Sequence, residues 1–192
     1  MTKRSKAKGH CSFTRTAFIN DRKLFRLLVN RIPDDEIANF QPALYLREAF
    51  RFSVEPDKFS NVADSLSYLK DRGVDLNTPS IVTVIDDEGE RAENFTLGQL
   101  VVMFGHRTLS AYNTYGNDRH YYRFIEDMED LGVDFNCPND DGINAYDLAN
   151  AQDMEDGNGT SLFNQYMNRR ALKEKLQRDL GIHGAAEDGT KI

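Results

Sequence analysis

The chain has 192 residues, 40% of them hydrophobic and 29% charged, with 31 acidic against 24 basic side chains and a net charge of −7. That length can bury one sizeable core, no run approaches the roughly 20 apolar residues of a membrane span, and two cysteines, Cys11 and Cys137, imply no disulfide framework. The expectation is a single-domain cytoplasmic protein with no membrane partner.

The first segment, MTKRSKAKGHCSF, is basic through Lys3, Arg4, Lys6 and Lys8 and lacks the apolar stretch of a secretory signal. Residues 1–18 read as a flexible basic arm. Asn20-Asp21 then opens a helix striped by Phe25, Leu28, Val29 and Ile32 and stopped by Pro33, a capping helix over 21–32. Asp34, Asp35 and Glu36 stand where a helix N-terminus favours negative charge. Residues 40–50, FQPALYLREAF, form the next helix, with Pro42 near its start.

A further helix ends at Gly73. At 11, 10, 7 and 4 residues before that glycine lie Val62, Ala63, Leu66 and Leu69, one apolar stripe of an amphipathic helix. Glycine suits the left-handed cap that other residues adopt at a cost. The β-prone run Ile81–Ile85 follows, then the turn Asp86-Asp-Glu-Gly89, inside a long finger. Thr96 caps a helix striped by Leu97, Leu100, Val101 and Phe104. Residues 106–120, HRTLSAYNTYGNDRH, read as an insertion between paired helices.

The next helix repeats the earlier register, with Tyr121, Tyr122, Ile125 and Met128 at the same offsets before Gly132. In NDDGINAYDLA, residues 139–149, Asp141-Gly142 is a tight tip. Asn144 is the N-cap of a helix that starts with Ala145, Tyr146, Leu148 and Ala149. Residues 153–160, DMEDGNGT, read as a turn, 160–180 as a final helix ending at Gly181, and 182–192 as a flexible tail.

Both striped helices end in one five-residue signature, Gly73-Val-Asp-Leu-Asn77 and Gly132-Val-Asp-Phe-Asn136, and the second copy runs on into NDDGINAYDLA. That order resembles the ankyrin repeat, in which a helix ends at glycine, the chain passes aspartate and asparagine, and a D-G tip leads into the next helix. The resemblance implies an all-α fold, a short solenoid of stacked antiparallel helix pairs with long inserted finger loops and helical caps. It implies a domain over 19–181 with repeats at about 40–77, 96–136 and 143–181. The chain departs from the family pattern in three places. The T-P-L-H-x-A string is absent, Gly73 and Gly132 stand 59 residues apart against about 33 in a regular repeat, and Gly181 is preceded by polar Glu174 and Gln177 at the stripe positions.

An ankyrin-like array supplies a binding scaffold and no catalytic group, so the partner-binding residues are sought among the charges. The first finger holds Asp86, Asp87, Glu88, Glu90 and Glu93 against Arg91 alone, and the second adds Asp134, Asp140, Asp141 and Asp147. Projecting from one edge, they would form an acidic ridge that steers a basic partner. The loop tyrosines Tyr112 and Tyr115 would add aromatic contact. The final helix is opposite in sign, with Arg169, Arg170, Lys173, Lys175 and Arg178 against Glu174 and Asp179.

The expected partner is therefore another protein with a basic, nucleic-acid-handling surface, the chain acting as its inhibitor or effector. Delivery into a host cell belongs to the same reading, and direct nucleic-acid binding does not. The alternative is a small enzyme with a polar site at His106, Asn113, Asp118 and His120. No phosphate loop, dinucleotide fingerprint or paired C-x-x-C occurs, and Cys137 stands where a calcium loop needs its first aspartate. No catalytic residue, metal or cofactor is expected.

Overall fold

The computed structural model describes residues 22–37, 39–50, 56–86, 89–111, 117–156 and 161–180. The expected basic arm and C-terminal tail lie outside them. In chain order the elements are α1 (Arg22–Val29), α2 (Asp34–Ile37), α3 (Pro42–Ala49), α4 (Pro56–Asp71), β1 (Ser80–Asp86), β2 (Gly89–Phe95), α5 (Leu97–Ala111), α6 (Asn117–Asp130), α7 (Ala145–Asp156) and α8 (Leu162–Asp179). The fold is mostly helical.

The mostly helical content agrees with the all-α expectation, and one finger adds a pair of strands. The first finger is an antiparallel hairpin, paired from Ser80↔Phe95 at its base to Asp86↔Gly89. Its first strand is a run of β-branched residues from Ile81 to Ile85, which suit a pleated surface better than a loop. Three helices also run longer than expected. Residues 106–111 belong to α5 and 117–120 to α6, so most of the supposed insertion is helix. Residues 153–156 complete α7 instead of turning. The capping helix is shorter, ending at Val29, because the amides of Arg31 and Ile32 bond the carbonyls three residues back ahead of Pro33.

The helices pack in two rows. α3, α5 and α7 are successive neighbours in one, and α1, α4, α6 and α8 in the other. Across the rows α3 meets α4, α5 meets α6 and α7 meets α8, while β1 lies on α3. α5 is central, also touching α8. From Leu97 to Val102 its residues are buried on every side, as a helix apolar all round requires. Phe50 joins the rows, its ring 5.0 Å from Phe104, 5.3 Å from Phe59 and 5.9 Å from Phe124.

α4 and α6 run side by side in the same direction. Near their starts Phe59 lies 4.9 Å from Phe124 and 6.3 Å from Tyr121, ring to ring. Beyond their ends Asn77 is bonded to Gly132 and Asp134. All eight stripe positions face inward, seven of them buried and Tyr122 partly so. α8 departs from that register. Tyr166 reaches both Tyr122 (5.6 Å between rings) and Glu129 (3.3 Å), residues two turns apart on α6, and Arg170 also pairs with Glu129. From Asn168 to Leu180 every residue of α8 is exposed.

Arg72, just past α4, fastens the N-terminal cap. Its guanidinium donates to the carbonyls of Val29 (3.3 Å) and Ile32 (3.2 Å) and pairs with Asp34, closing the end of α1 and meeting the start of α2.

Candidate functional site

Each residue of the five-residue signature has a physical task. Gly73 and Gly132 adopt φ of +89° and +78°, the left-handed region that costs glycine nothing. Their amides bond back to Lys70 and Glu129 (both 2.8 Å), and those of Val74 and Val133 to Leu69 (3.1 Å) and Met128 (3.0 Å). This double bond pattern closes a helix by a Schellman turn, and the buried valine supplies its apolar contact. Asp75 and Asp134 then accept the amides of Asn77 and Asn136, each at 2.9 Å, and fold the chain into an Asx turn. Leu76 and Phe135 are buried.

The last residue of the signature links one copy to the next. Asn77 donates through Nδ2 to the carbonyl of Gly132 (3.0 Å) and accepts the amide of Asp134 at Oδ1 (2.8 Å), joining the two turns across more than fifty residues. Asn136 holds the same place in the second copy, but its amide turns back to Asp134 at 3.4 Å.

The second finger is closed by Asn139, whose Oδ1 accepts the amides of Asp141 (3.1 Å) and Ile143 (3.0 Å) while Gly142 takes φ +78° at the tip. Asn139 also reaches the hairpin, donating to the carbonyl of Asn94 at 3.0 Å, and Asn94 donates to Asp140. Behind these contacts stand two reciprocal helix caps. Thr96 and Gln99 exchange side-chain and backbone bonds at 2.8 and 3.2 Å, and Asn144 and Asp147 do the same at 3.0 Å. Gln99 donates once more, to the carbonyl of Ile143 at 3.1 Å, so the first cap holds the second finger.

These bonds bring part of the expected acidic ridge together. Asp140 and Asp141, both exposed at the second finger, lie against the hairpin base through Asn94. Glu93, one residue back on the strand, shares the opposite face with buried Val82. Asp75 and Asp134, exposed on the turns behind, extend the finger edge. Asp86 and Glu90 pair six and five positions out from the base, which puts the far end of the hairpin about 20 Å away at about 3.4 Å per residue. The acidic residues therefore fall into a base group and a tip group. Asp87 and Glu88, the side chains of Asp86 and Glu90, and Tyr112 and Tyr115 lie outside the described residues. Asp75 and the linking asparagines were not singled out from the sequence, although the repeated D-x-N was a signal for both.

The polar residues of the enzyme alternative are spread over two helices. His106 belongs to α5, Asp118 and His120 to α6, and His120 is exposed. Asn113 and the side chains of His106 and Asp118 lie outside the described residues. Tyr121 is fully buried, its hydroxyl donating to the carbonyl of Val101 at 3.0 Å, and burial pushes its phenol far above the usual range. Tyr122 stacks under Arg169 at 5.3 Å, which assigns it to packing between α6 and α8. Burial, followed by the charges of Asp134 and Asp75, raises the Cys137 thiol, opposite to what a thiolate nucleophile needs. Among the described residues no three His, Cys, Asp or Glu side chains are grouped to hold a metal ion.

No family model, curated protein or solved structure matches the chain.

Proposed function

We propose that the chain is a short ankyrin-like array whose helix pairs are α3–α4, α5–α6 and α7–α8, with α1 as its cap, and that it is a non-enzymatic protein-binding module. The observation that carries this reading is the Asn77 link, in which the last side chain of one signature bonds the backbone of the turn in the other. A repeat architecture needs such a bond, because each unit buries its open face only against the next. The binding surface is the finger edge: Asp140 and Asp141 at the base and Asp86, Asp87, Glu88 and Glu90 towards the hairpin tip. Burial of the first turns of α5, from Leu97 to Val102, supports the fingers over those turns as the surface that is touched.

The partner is a protein with a basic surface of the kind that handles nucleic acid, and the chain inhibits or redirects it, in its own cytoplasm or in that of a host. Affinity capture from the native cell or host supplies the partner for the test. Reversing Asp86, Asp87, Glu88, Asp140 and Asp141 to Lys should abolish binding and leave the fold intact. Exposed substitutions change stability by roughly half a kcal/mol, whereas like charges across an interface cost several kcal/mol. Wild-type affinity should also fall as salt rises, exposed charges being screened beyond about 10 Å at 0.1 M. Salt-independent binding that tolerates all five reversals rejects the finger edge as the interface.

A further inference from the structure

The two ends of the helix rows are finished differently. At the N-terminal end α1 turns Phe25 and Val29 into the core and is fastened by Arg72, leaving Leu24 and Leu27 outward on a helix of only 8 residues. At the other end two helix faces are left open. On α8 the last three turns carry Leu172, Leu176 and Leu180, four residues apart and 50–69% exposed. On α7 the exposed residues Asp147, Ala151 and Met154 continue a stripe that starts at Ile143, with Met154 84% exposed.

We infer that these two faces belong together in different copies of the chain: the free half of α8 lies along the open face of α7 in a second copy, and reciprocally, in a two-fold dimer. Three observations support the match. The first is charge. Residues 168–180 carry Arg169, Arg170, Lys173, Lys175 and Arg178 against Glu174 and Asp179, whereas α7 carries Asp147, Asp153, Glu155 and Asp156 and no basic residue, in a chain of net charge −7. The second is shape. Three leucines on one side of a helix make the narrow seam of a helix–helix contact, and Lys173 and Arg169 beside them leave too narrow an apolar face for a helix lying in a bilayer surface. The third is stability. Beyond Arg170, which pairs with Glu129, the last turns of α8 are exposed on every side and have no packing of their own, so covering the leucines is what would stabilise them. A second copy covers the leucines, matches the charge and has the same need in return, which closes the assembly at two.

The test needs only this chain, so its outcome is independent of the finger-edge reading. Sedimentation of the full-length protein over a concentration series should show monomer passing to dimer, with the dimer weakened at high salt. Leu172→Glu with Leu176→Glu, and separately Met154→Glu, should each remain monomeric while keeping the wild-type unfolding midpoint. Lys173→Glu with Lys175→Glu leaves the leucines in place and should weaken the dimer mainly at low salt. Either of two results overturns the proposal: a wild type that stays monomeric throughout, or a Met154→Glu protein that dimerises as the wild type does. A monomeric wild type that instead floats with phosphatidylserine vesicles through the same leucines assigns the stripe to a membrane surface.

Discussion

α4 and α6 belong to the same row as α8 and behave differently from it. Four apolar side chains stand at fixed distances before the closing glycine in α4 and again in α6, and those helices lie alongside one another with their turns bonded. At the same distances before Gly181, α8 has Arg170, Ala171, Glu174 and Gln177, and it is exposed on every side from Asn168 onward. A helix stays in the row only as far as its stripe extends. The difference is one of side chains alone, since α8 is the longest of the three and is well capped at Ser161, whose hydroxyl accepts the amide of Asn164 at 3.2 Å.

The largest effect that would sharpen this contrast comes from the stripe. Leu66→Ala or Ile125→Ala should each cost about 2–5 kcal/mol by leaving a cavity between α4 and α6. Leu176→Ala in the exposed half of α8 should change monomer stability by no more than about 0.5 kcal/mol. Denaturant midpoints read both, and equal costs would break the comparison. Next in size is the turn. Gly132→Val forces a β-branched residue to φ +78° with only the end of Lys70 nearby, so strain and not crowding sets a cost of about 1–3 kcal/mol.

Asn77→Ala should cost about 1 kcal/mol by removing two bonds between turns, and Asn136→Ala close to nothing. Thermal melts of the pair would show whether the link is as one-sided as its geometry. The smallest effect at neutral pH comes from the buried phenols. Burial raises Tyr45 to about 12, against a weaker opposing bond to Ser65, and raises Tyr166 to about 12 together with Glu129. Their ordinary value is near 10. Above it the unfolded chain releases protons that the folded chain retains, so stability is complete below about pH 10 and is lost as pH rises towards 12. The midpoint of Tyr45→Phe should fall less steeply over that window.

Much of this was legible because it is local. The glycine caps, the stripes and the caps at Thr96 and Asn144 each depend on residues within three turns of one another. Helix ends were less legible: α5 continues through His106–Ala111 because nothing in that stretch breaks a helix before Asn113 and Gly116, and α7 continues to Asp156 because the next breaker is Gly157. The hairpin was half visible, its first strand β-prone and its second, GERAENF, carrying no such pattern. Its pairing comes from the partner strand. The link from Asn77 to Gly132 and Asp134 was beyond reach, since nothing near Asn77 in sequence tells where its amide will bond. Of the candidate site, the acidic residues were legible as charge, while the division between base and tip required the register of the hairpin.

The closed base of that hairpin also bears on how the chain tolerates change. Ser80 and Phe95 are paired and buried, and Asn94 is tied to the second finger, so the strands are fixed where they leave the body whatever lies beyond them. Lengthening the far end adds only the entropy of a larger loop, about 0.6 kcal/mol for each doubling. The hairpin end is thus a permissive site, where an epitope, a fluorophore-binding peptide or a second recognition sequence can be spliced in without disturbing the helix rows.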